Sequence, residues 1–237
     1  MLRVVCWKWK PQNPEFRSTF NARSVNVLRN MVERHYTKDF ELVCFTDDGD
    51  GIDPRVRVIP IWDTYANLTS PLGVGYPSCY RRLLAFRSNM QEVIGGRFVS
   101  MDLDCVITGD ITPLWDRKED FIIWNAETRN TPYNGSMWMM DPGAREKVYD
   151  EFDPVESPAL TGKLDLCGSD QAWFAHCLGP DEATWGKDDG VYVWRLHLRN
   201  RMWVLPDDAR IVFFQGKEDP WDMSAIQKAP WILDHYK

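Results

Sequence analysis

Asp102 and Asp104, separated by Leu103 at the end of the apolar run Arg97-Phe98-Val99-Ser100-Met101, are the residues whose type and spacing point most directly to chemistry. In an extended chain, side chains two residues apart face the same way, so a strand ending there sends both carboxylates to one side. Two hard oxygen ligands with open positions between them suit Mg²⁺ or Mn²⁺ carrying a diphosphate. An isolated Asp-x-Asp also marks turns and helix caps. This pair differs in context, because Val106-Ile107-Thr108-Gly109-Asp110-Ile111 follows it. Both acids thus lie inside a stretch expected to be buried, where charges are rarely placed without partners.

The elements that must position the pair alternate in type. Leu2 to Trp7 reads as a strand, and Leu28, Met31, Val32 and Tyr36 recur at helical spacing in a helix from about Ser18 to Tyr36. Glu41 to Thr46 is a second strand, ending at the turn-rich Asp47-Asp48-Gly49-Asp50-Gly51, and Val56 to Ile61 a short third. A helix from about Ser78 to Met90, with Tyr80, Leu83 and Leu84 inward, leads into the strand that carries the acids. Further strands are expected at Phe121 to Trp124, Ser136 to Met140 and Ile211 to Phe214, and helices at Ala144 to Phe152 and Ser169 to Cys177. Such alternation predicts an α/β fold with a mainly parallel central sheet flanked by helices. Ligands bind at the carboxyl ends of these strands, where Thr46-Asp47, Asp102-Leu103-Asp104 and Gln215-Gly216 fall. The irregular Trp62 to Pro77 segment is either a lid over that end or a plain surface connection.

Composition bounds the rest. A chain of 237 residues with 44% hydrophobic content can bury one full core, and no linker, repeat or low-complexity tract divides it, so a single domain over 1–237 is expected. No apolar run reaches the length of a membrane span, and Met1-Leu2-Arg3-Val4-Val5-Cys6 enters a strand pattern, not a signal peptide, which predicts a cytoplasmic protein. The six cysteines lack C-x-x-C spacing and read as small buried hydrophobes, with neither zinc site nor disulfide frame. A net charge of -7 weighs against broad nonspecific binding to nucleic acid or anionic membrane. Of the 12 tryptophans some must be core, while others, among them Trp7, Trp9, Trp62, Trp194, Trp221 and Trp231, stand beside Gly, Pro or charged residues, where they serve either as packing or as platforms for sugars and bases.

Taken in order, Val4-Val5-Cys6-Trp7, Cys44-Phe45-Thr46-Asp47-Asp48, Tyr80-Arg81-Arg82-Leu83, Met101-Asp102-Leu103-Asp104, Gly168-Ser169-Asp170-Gln171 and Phe214-Gln215-Gly216-Lys217-Glu218-Asp219-Pro220-Trp221 resemble the nucleotide-diphospho-sugar glycosyltransferases of the GT-A fold. The pattern is most similar to glycosyltransferase family 8 and its bacterial and phage relatives. The resemblance implies a metal-dependent hexosyltransferase using a nucleotide-sugar donor, uridine-based by preference, with Mn²⁺ or Mg²⁺. It implies that Asp102 and Asp104 hold the metal, with Leu103 between them at the donor. The family's last segment reads His-x-Gly-x-x-Lys-Pro-Trp, where the His is a third metal ligand and the Lys neutralises phosphate. Here Gln215 stands for that His and Asp219 for that Lys, leaving Gly216 and the nearby cation Lys217 for the diphosphate.

By the same resemblance Arg82 reaches the donor sugar or phosphate, and Asn134-Gly135-Ser136 is the small-residue turn lining the sugar pocket. Asp170 and Gln171 stand beside the anomeric carbon, where a side-chain oxygen stabilises developing positive charge. A helix N-cap explains the same residues without chemistry. Thr46 and Asp47, with the backbone around Cys6 and Trp7, match the nucleoside-binding edge, where Asp47 or Asp48 would accept the uracil imide N–H. The family retains anomeric configuration, and front-face attack, with the leaving phosphate taking the acceptor proton, fits better than a covalent intermediate.

The acceptor is less directly marked. Read as a strand, Trp194 to Trp203 puts Arg195, His197, Arg199 and Arg201 on one face with Trp203 at its end, an arrangement that holds phosphates and stacks a base. Because some phage relatives glycosylate hydroxymethylated cytosine, a DNA acceptor is one expectation. Saccharide, lipid-linked or protein acceptors are others, and the arginines equally suit the donor diphosphate or a solvated strand face. A nucleotidyltransferase is a competing class, but Lys8-Trp9-Lys10-Pro11-Gln12-Asn13 is not its Gly-rich phosphate loop. A noncatalytic sugar- or nucleic-acid-binding module is the remaining alternative.

Overall fold

Alternating burial in the first strand sets up the architecture. In β1 (Leu2–Lys8), Val4 and Cys6 enter one hydrophobic cluster and Val5 and Trp7 another, so both faces of the strand are covered. The computed structural model describes residues 1–10, 20–125 and 130–237. On one face lies the helix Ala22–His35, whose Leu28, Met31 and Val32 are fully buried and whose first turn is capped by Asn21. The start expected for this helix near Ser18 and the expected loop residues Pro11-Gln12-Asn13 lie outside the described residues. On the other face lie Tyr80, Leu83 and Phe86, together with Trp173 and Phe174.

β2 (Phe40–Thr46), β3 (Arg57–Pro60), β4 (Phe98–Met101), β6 (Phe121–Asn125), β7 (Tyr133–Met140) and β8 (Thr184–Trp185) complete a seven-stranded sheet in the order β3-β2-β1-β4-β7-β6-β8. The β3-β2-β1-β4 half is parallel, and β7 runs antiparallel to both β4 and β6. A second sheet of three strands has the order β5-β10-β9, from β5 (Cys105–Ile107), β9 (Val191–Val193) and β10 (Ile211–Phe213). The chain therefore leaves the large sheet at Met101 and enters the small one at Cys105. Asp102-Leu103-Asp104 is the join.

Three expectations are corrected. The helix expected from Ser78 to Met90 is a tight 3₁₀ segment at Tyr80–Phe86 followed by a separate short helix, Met90–Ile94. Every residue of Tyr80–Phe86, including Arg81 and Arg82, is buried, so this segment has no solvated face of the kind an amphipathic helix needs. The helix expected over Ala144 to Phe152 shrinks to Lys147–Asp150, because turns after Pro142-Gly143 occupy its first part. The strand expected from Trp194 to Trp203 does not form. That stretch winds as a π-helical turn at Trp194–Leu198 and a 3₁₀ turn at Arg199–Arg201, with Met202 and Trp203 left-handed.

Candidate active site

β4 ends at Met101, so strand alternation does not reach Asp104. Asp102 and Asp104 meet because the chain bends between sheets, with Leu103 buried beneath them as the anchor of the bend. The bend is held from both sides. The Asp102 backbone N–H donates to the Ser136 carbonyl of β7 (2.9 Å), and the Phe214 N–H, just past β10, donates to the Asp104 carbonyl (2.7 Å). Both carboxylates then line a cavity of about 370 Å³, shared with Trp7, Trp9, Arg82 and the Leu68 to Pro77 part of the irregular loop.

Arg82 organises one side of this cavity. Its Nη1 donates to Asp102 Oδ1 (2.5 Å), while Nε and Nη2 both reach Asp170 Oδ2 (2.7 Å). The Arg82 and Asp170 side chains are 5% and 3% exposed, so the pair is effectively removed from water. Burial opposes the charge on Arg82, but the Asp170 and Asp102 carboxylates outweigh it and hold the guanidinium well above its ordinary value. Burial also pushes the Asp170 carboxyl up, against the pull of Arg82. Gly135 makes this packing possible: a Cβ there would stand 2.8 Å from Arg82 Nη2 and 3.3 Å from Asp170 Oδ2. The missing side chain in Asn134-Gly135-Ser136 thus admits protein groups, and Asn134 folds back to accept from the Ser136 N–H (2.8 Å).

Asp170 begins the helix Asp170–Leu178, yet Ser169 does not cap it; Ser169 Oγ accepts instead from the Cys79 N–H (2.9 Å), fastening this helix to the Arg82 segment. Gln171 packs over Gly168, donates from Nε2 to the Cys167 carbonyl (3.0 Å) and accepts at Oε1 from the Gly135 N–H (3.4 Å). Arg82, Asp102, Asp170 and Gln171 are thereby joined through one glycine.

The other side is built by the small sheet. Burial pushes the Asp104 carboxyl well above the usual carboxylate range, and the charges of Asp102 and Asp219 push the same way. Gln215, half-buried, follows Phe214 directly and so stands next to the Asp104 backbone, with Gly216 and Lys217 exposed beyond it. Among the described residues no group of three or more His, Cys, Asp or Glu is arranged to hold a metal ion. Two carboxylates on one cavity, with an amide oxygen on the adjoining loop, still fit a hard divalent cation that brings further oxygen ligands with it.

No protein-family model matches this chain, and no curated protein matches it either. Solved structures do. The galactosyltransferase LgtC, in complex with donor and acceptor sugar analogues, superposes with a TM-score of 0.61 at 11% identity, covering 99% of this chain and 96% of that one. The glycosyltransferase GlyE of Streptococcus pneumoniae TIGR4 gives 0.59 at 11% identity, covering 94% and 57%, and the bifunctional glycosyltransferase WbbM gives 0.53 at 13%, covering 98% and 50%. The fold is that of the GT-A glycosyltransferases. The chain spans nearly all of LgtC and about half of GlyE and WbbM.

Within the GT-A fold, the residues expected at the nucleoside edge separate. Trp7 lines the cavity, stacked on Phe45 at 4.9 Å with its Nε1–H donated to Ser100 Oγ (2.8 Å). The Cys6 side chain points into the opposite core cluster and is fully buried. Thr46 is buried and closes a turn, exchanging hydrogen bonds with the Asp48 backbone, while Asp47 is exposed and accepts from the Lys10 N–H (2.9 Å). Trp9 and Arg81 form a cation–π pair (5.6 Å) on the same wall, a contact that no spacing along the chain marks.

The expected face of Arg195, His197, Arg199, Arg201 and Trp203 is not assembled in the GT-A fold, since the segment coils instead of extending. Trp203 cannot stack a base, because Trp194 covers its ring at 4.3 Å and Lys228 Nζ lies 5.2 Å from its centroid. Arg195 parts from the others and lies over Gly216: a Cβ on that glycine would stand 2.5 Å from the Arg195 Cζ. No local pattern marks this contact, which joins β9 and β10 through their following loops. Among the described residues, no helix is long and apolar enough to cross a membrane.

Proposed function

We propose that the chain transfers a glycosyl group from a nucleotide-sugar donor to a hydroxyl acceptor with the help of a divalent cation. The observation that carries this reading is the convergence of Asp102, Asp104 and Arg82 on one cavity at the carboxyl end of β4, with Asp170 tied behind Arg82. Asp102 and Asp104, with Gln215 as an amide ligand, would hold Mn²⁺ or Mg²⁺, which when bound supplies Lewis-acid stabilisation of the leaving nucleoside diphosphate. Trp7 and the neighbouring backbone would form the nucleoside edge, with Thr46 and Asp47 set off the cavity wall behind it, and a uridine donor is the preferred reading. Leu103 and Gly216 shape the diphosphate channel, and Asn134 and Ser136 the turn beside the sugar.

Asp170 is directed away from a nucleophile's role: its Oδ2 is paired with Arg82, its Oδ1 accepts from the Gln171 N–H (2.9 Å), and alkylating either oxygen would remove the charge that Arg82 faces inside the protein. Retention is what the family resemblance implies, and front-face substitution is the form of it that needs no protein nucleophile: the acceptor oxygen bonds to the anomeric carbon as the bond to the diphosphate oxygen breaks, and that oxygen takes the acceptor proton. Gln171 and Asp170 then stabilise positive charge at the reacting carbon.

LgtC was solved with an acceptor sugar analogue, and a saccharide hydroxyl is the acceptor favoured here. A DNA acceptor loses its support with the coiled arginine segment. Incubation with a panel of nucleotide sugars and Mn²⁺ should release nucleoside diphosphate from at least one donor. Absence of both release and binding across the panel would overturn the reading.

A further inference from the structure

We propose that Arg195, lying over Gly216, takes the charge of the donor diphosphate in place of the lysine that the family pattern carries and this chain replaces with Asp219. The inference rests on the donor reading above and deepens it.

Three observations converge on Arg195. The first is the acidic balance of the loop after β10, where the one cation, the exposed Lys217, precedes Glu218 and Asp219. Asp219 is buried and acidic, and Glu218 is occupied, accepting from Trp194 Nε1 (3.0 Å), Ser224 Oγ (3.0 Å) and Lys228. A diphosphate arriving beside Asp104 and Asp219 needs a cation on this side.

The second is position. Gly216 has φ +103°, a backbone conformation that side chains rarely adopt, and its absent Cβ is the space the Arg195 guanidinium uses, with Cζ at 2.5 Å and Nε at 2.7 Å from where that atom would be. The guanidinium is thereby laid on the glycine that follows Gln215, one residue from the amide proposed as a metal ligand.

The third is that this position is enforced. Trp194 is sandwiched between Phe214 (4.7 Å, 17°) and Trp203 (4.3 Å, 30°). The Val193 N–H donates to His197 Nδ1 (3.0 Å) across the π-helical turn. That rare winding aims Arg195 at Gly216 while its neighbours Arg199 and Arg201 turn to solvent. The Arg195 side chain is exposed, so phosphate oxygens can reach its N–H fork in bidentate fashion.

The test is calorimetric binding of nucleoside diphosphates and the matching nucleosides, each with Mn²⁺, to the full chain and its variants. For the diphosphate the wild type binds most tightly, Arg195→Ala should weaken affinity about ten- to hundredfold, the range expected for a lost charge-assisted contact. Arg195→Lys should recover part of the loss, affinity for the bare nucleoside should not change, and Arg199→Ala should bind as wild type. Gly216→Ala should reproduce the Arg195→Ala loss, because its methyl group displaces the guanidinium. Wild-type affinity in Arg195→Ala, or an equal loss for the bare nucleoside, would overturn the inference while leaving the donor reading intact. A wild type that binds no nucleoside diphosphate would remove both.

Discussion

The two sides from which the site is built rest on opposite electrostatic terms. On the β4–β7 side, Arg82 satisfies Asp102 and Asp170 from within the protein, and Gly135 leaves the room they need. On the β5–β10 side, Asp104 faces Asp102 and Asp219, acid against acid, and the cations of that side, Arg195 and Lys217, lie out on the surface. One side is a buried structural ion cluster that also faces the site. The other is held together by backbone ladders in spite of its charges, which is how a site that stabilises a ligand's charge commonly differs from its scaffold.

The largest expected effect tests the acid side. Asp104→Asn should lower donor turnover about 10³-fold, since loss of a metal ligand removes several kcal/mol of transition-state charge stabilisation. Nucleoside diphosphate release with saturating Mn²⁺ measures it, and turnover within tenfold of wild type would assign Asp104 to structure alone.

Arg82 tests the other side. Arg82→Met should destabilise the fold by about 3–5 kcal/mol, because it strands the buried Asp170 charge. Urea unfolding should register this whether or not donor is present. Gly135→Ala should cost less, about 1–3 kcal/mol, as the new methyl group forces Arg82 aside.

A smaller effect has the opposite sign. With EDTA present, Asp104→Asn should stabilise the fold by about 0.5–2 kcal/mol at pH 7. The raised native value of Asp104 means that the folded chain binds its proton more tightly than the unfolded chain. Stability therefore falls as pH rises from the ordinary carboxylate value through the raised one, and the variant should lose that slope. Mn²⁺ affinity of the wild type should climb over the same interval, because the metal must displace the proton. An unchanged slope in the variant would place the acid–acid repulsion elsewhere.

The smallest effect separates the two surface cations. Lys217→Ala should weaken diphosphate binding by no more than about threefold, the scale of an exposed, flexible charge. A loss larger than that of Arg195→Ala would return the phosphate role to Lys217.

Much of this division was legible in the chain. The alternation of strands and helices predicted the parallel half of the sheet, and the apolar runs at Leu2 to Trp7, Glu41 to Thr46 and Arg97 to Val99 lie in β1, β2 and β4 or at their edges. Asp102 and Asp104 were marked by acids where burial was expected, although the cause of their meeting differs from the one their spacing implied. Tyr80–Phe86 departs from the expected amphipathic helix because one buried face and burial on all sides leave similar apolar spacing over seven residues. The segment from Trp194 to Trp203 departs from the expected strand because its alternation reflects Trp194 and Leu198 reaching the core from a coiled backbone.

By itself, then, the sequence determined the α/β class, the strands that end at the site and the presence of two acids at one of those ends. Those are properties of local pattern, set by which side chains water excludes. Only the tertiary structure decided which charges are paired. Arg82 reaches Asp170 across 88 residues of chain, Gly135 admits both, and Arg195 settles on Gly216 because two neighbouring strands release their loops side by side. Coulomb energy depends on separation in space and on burial, and neither is written in the spacing of residues along a chain.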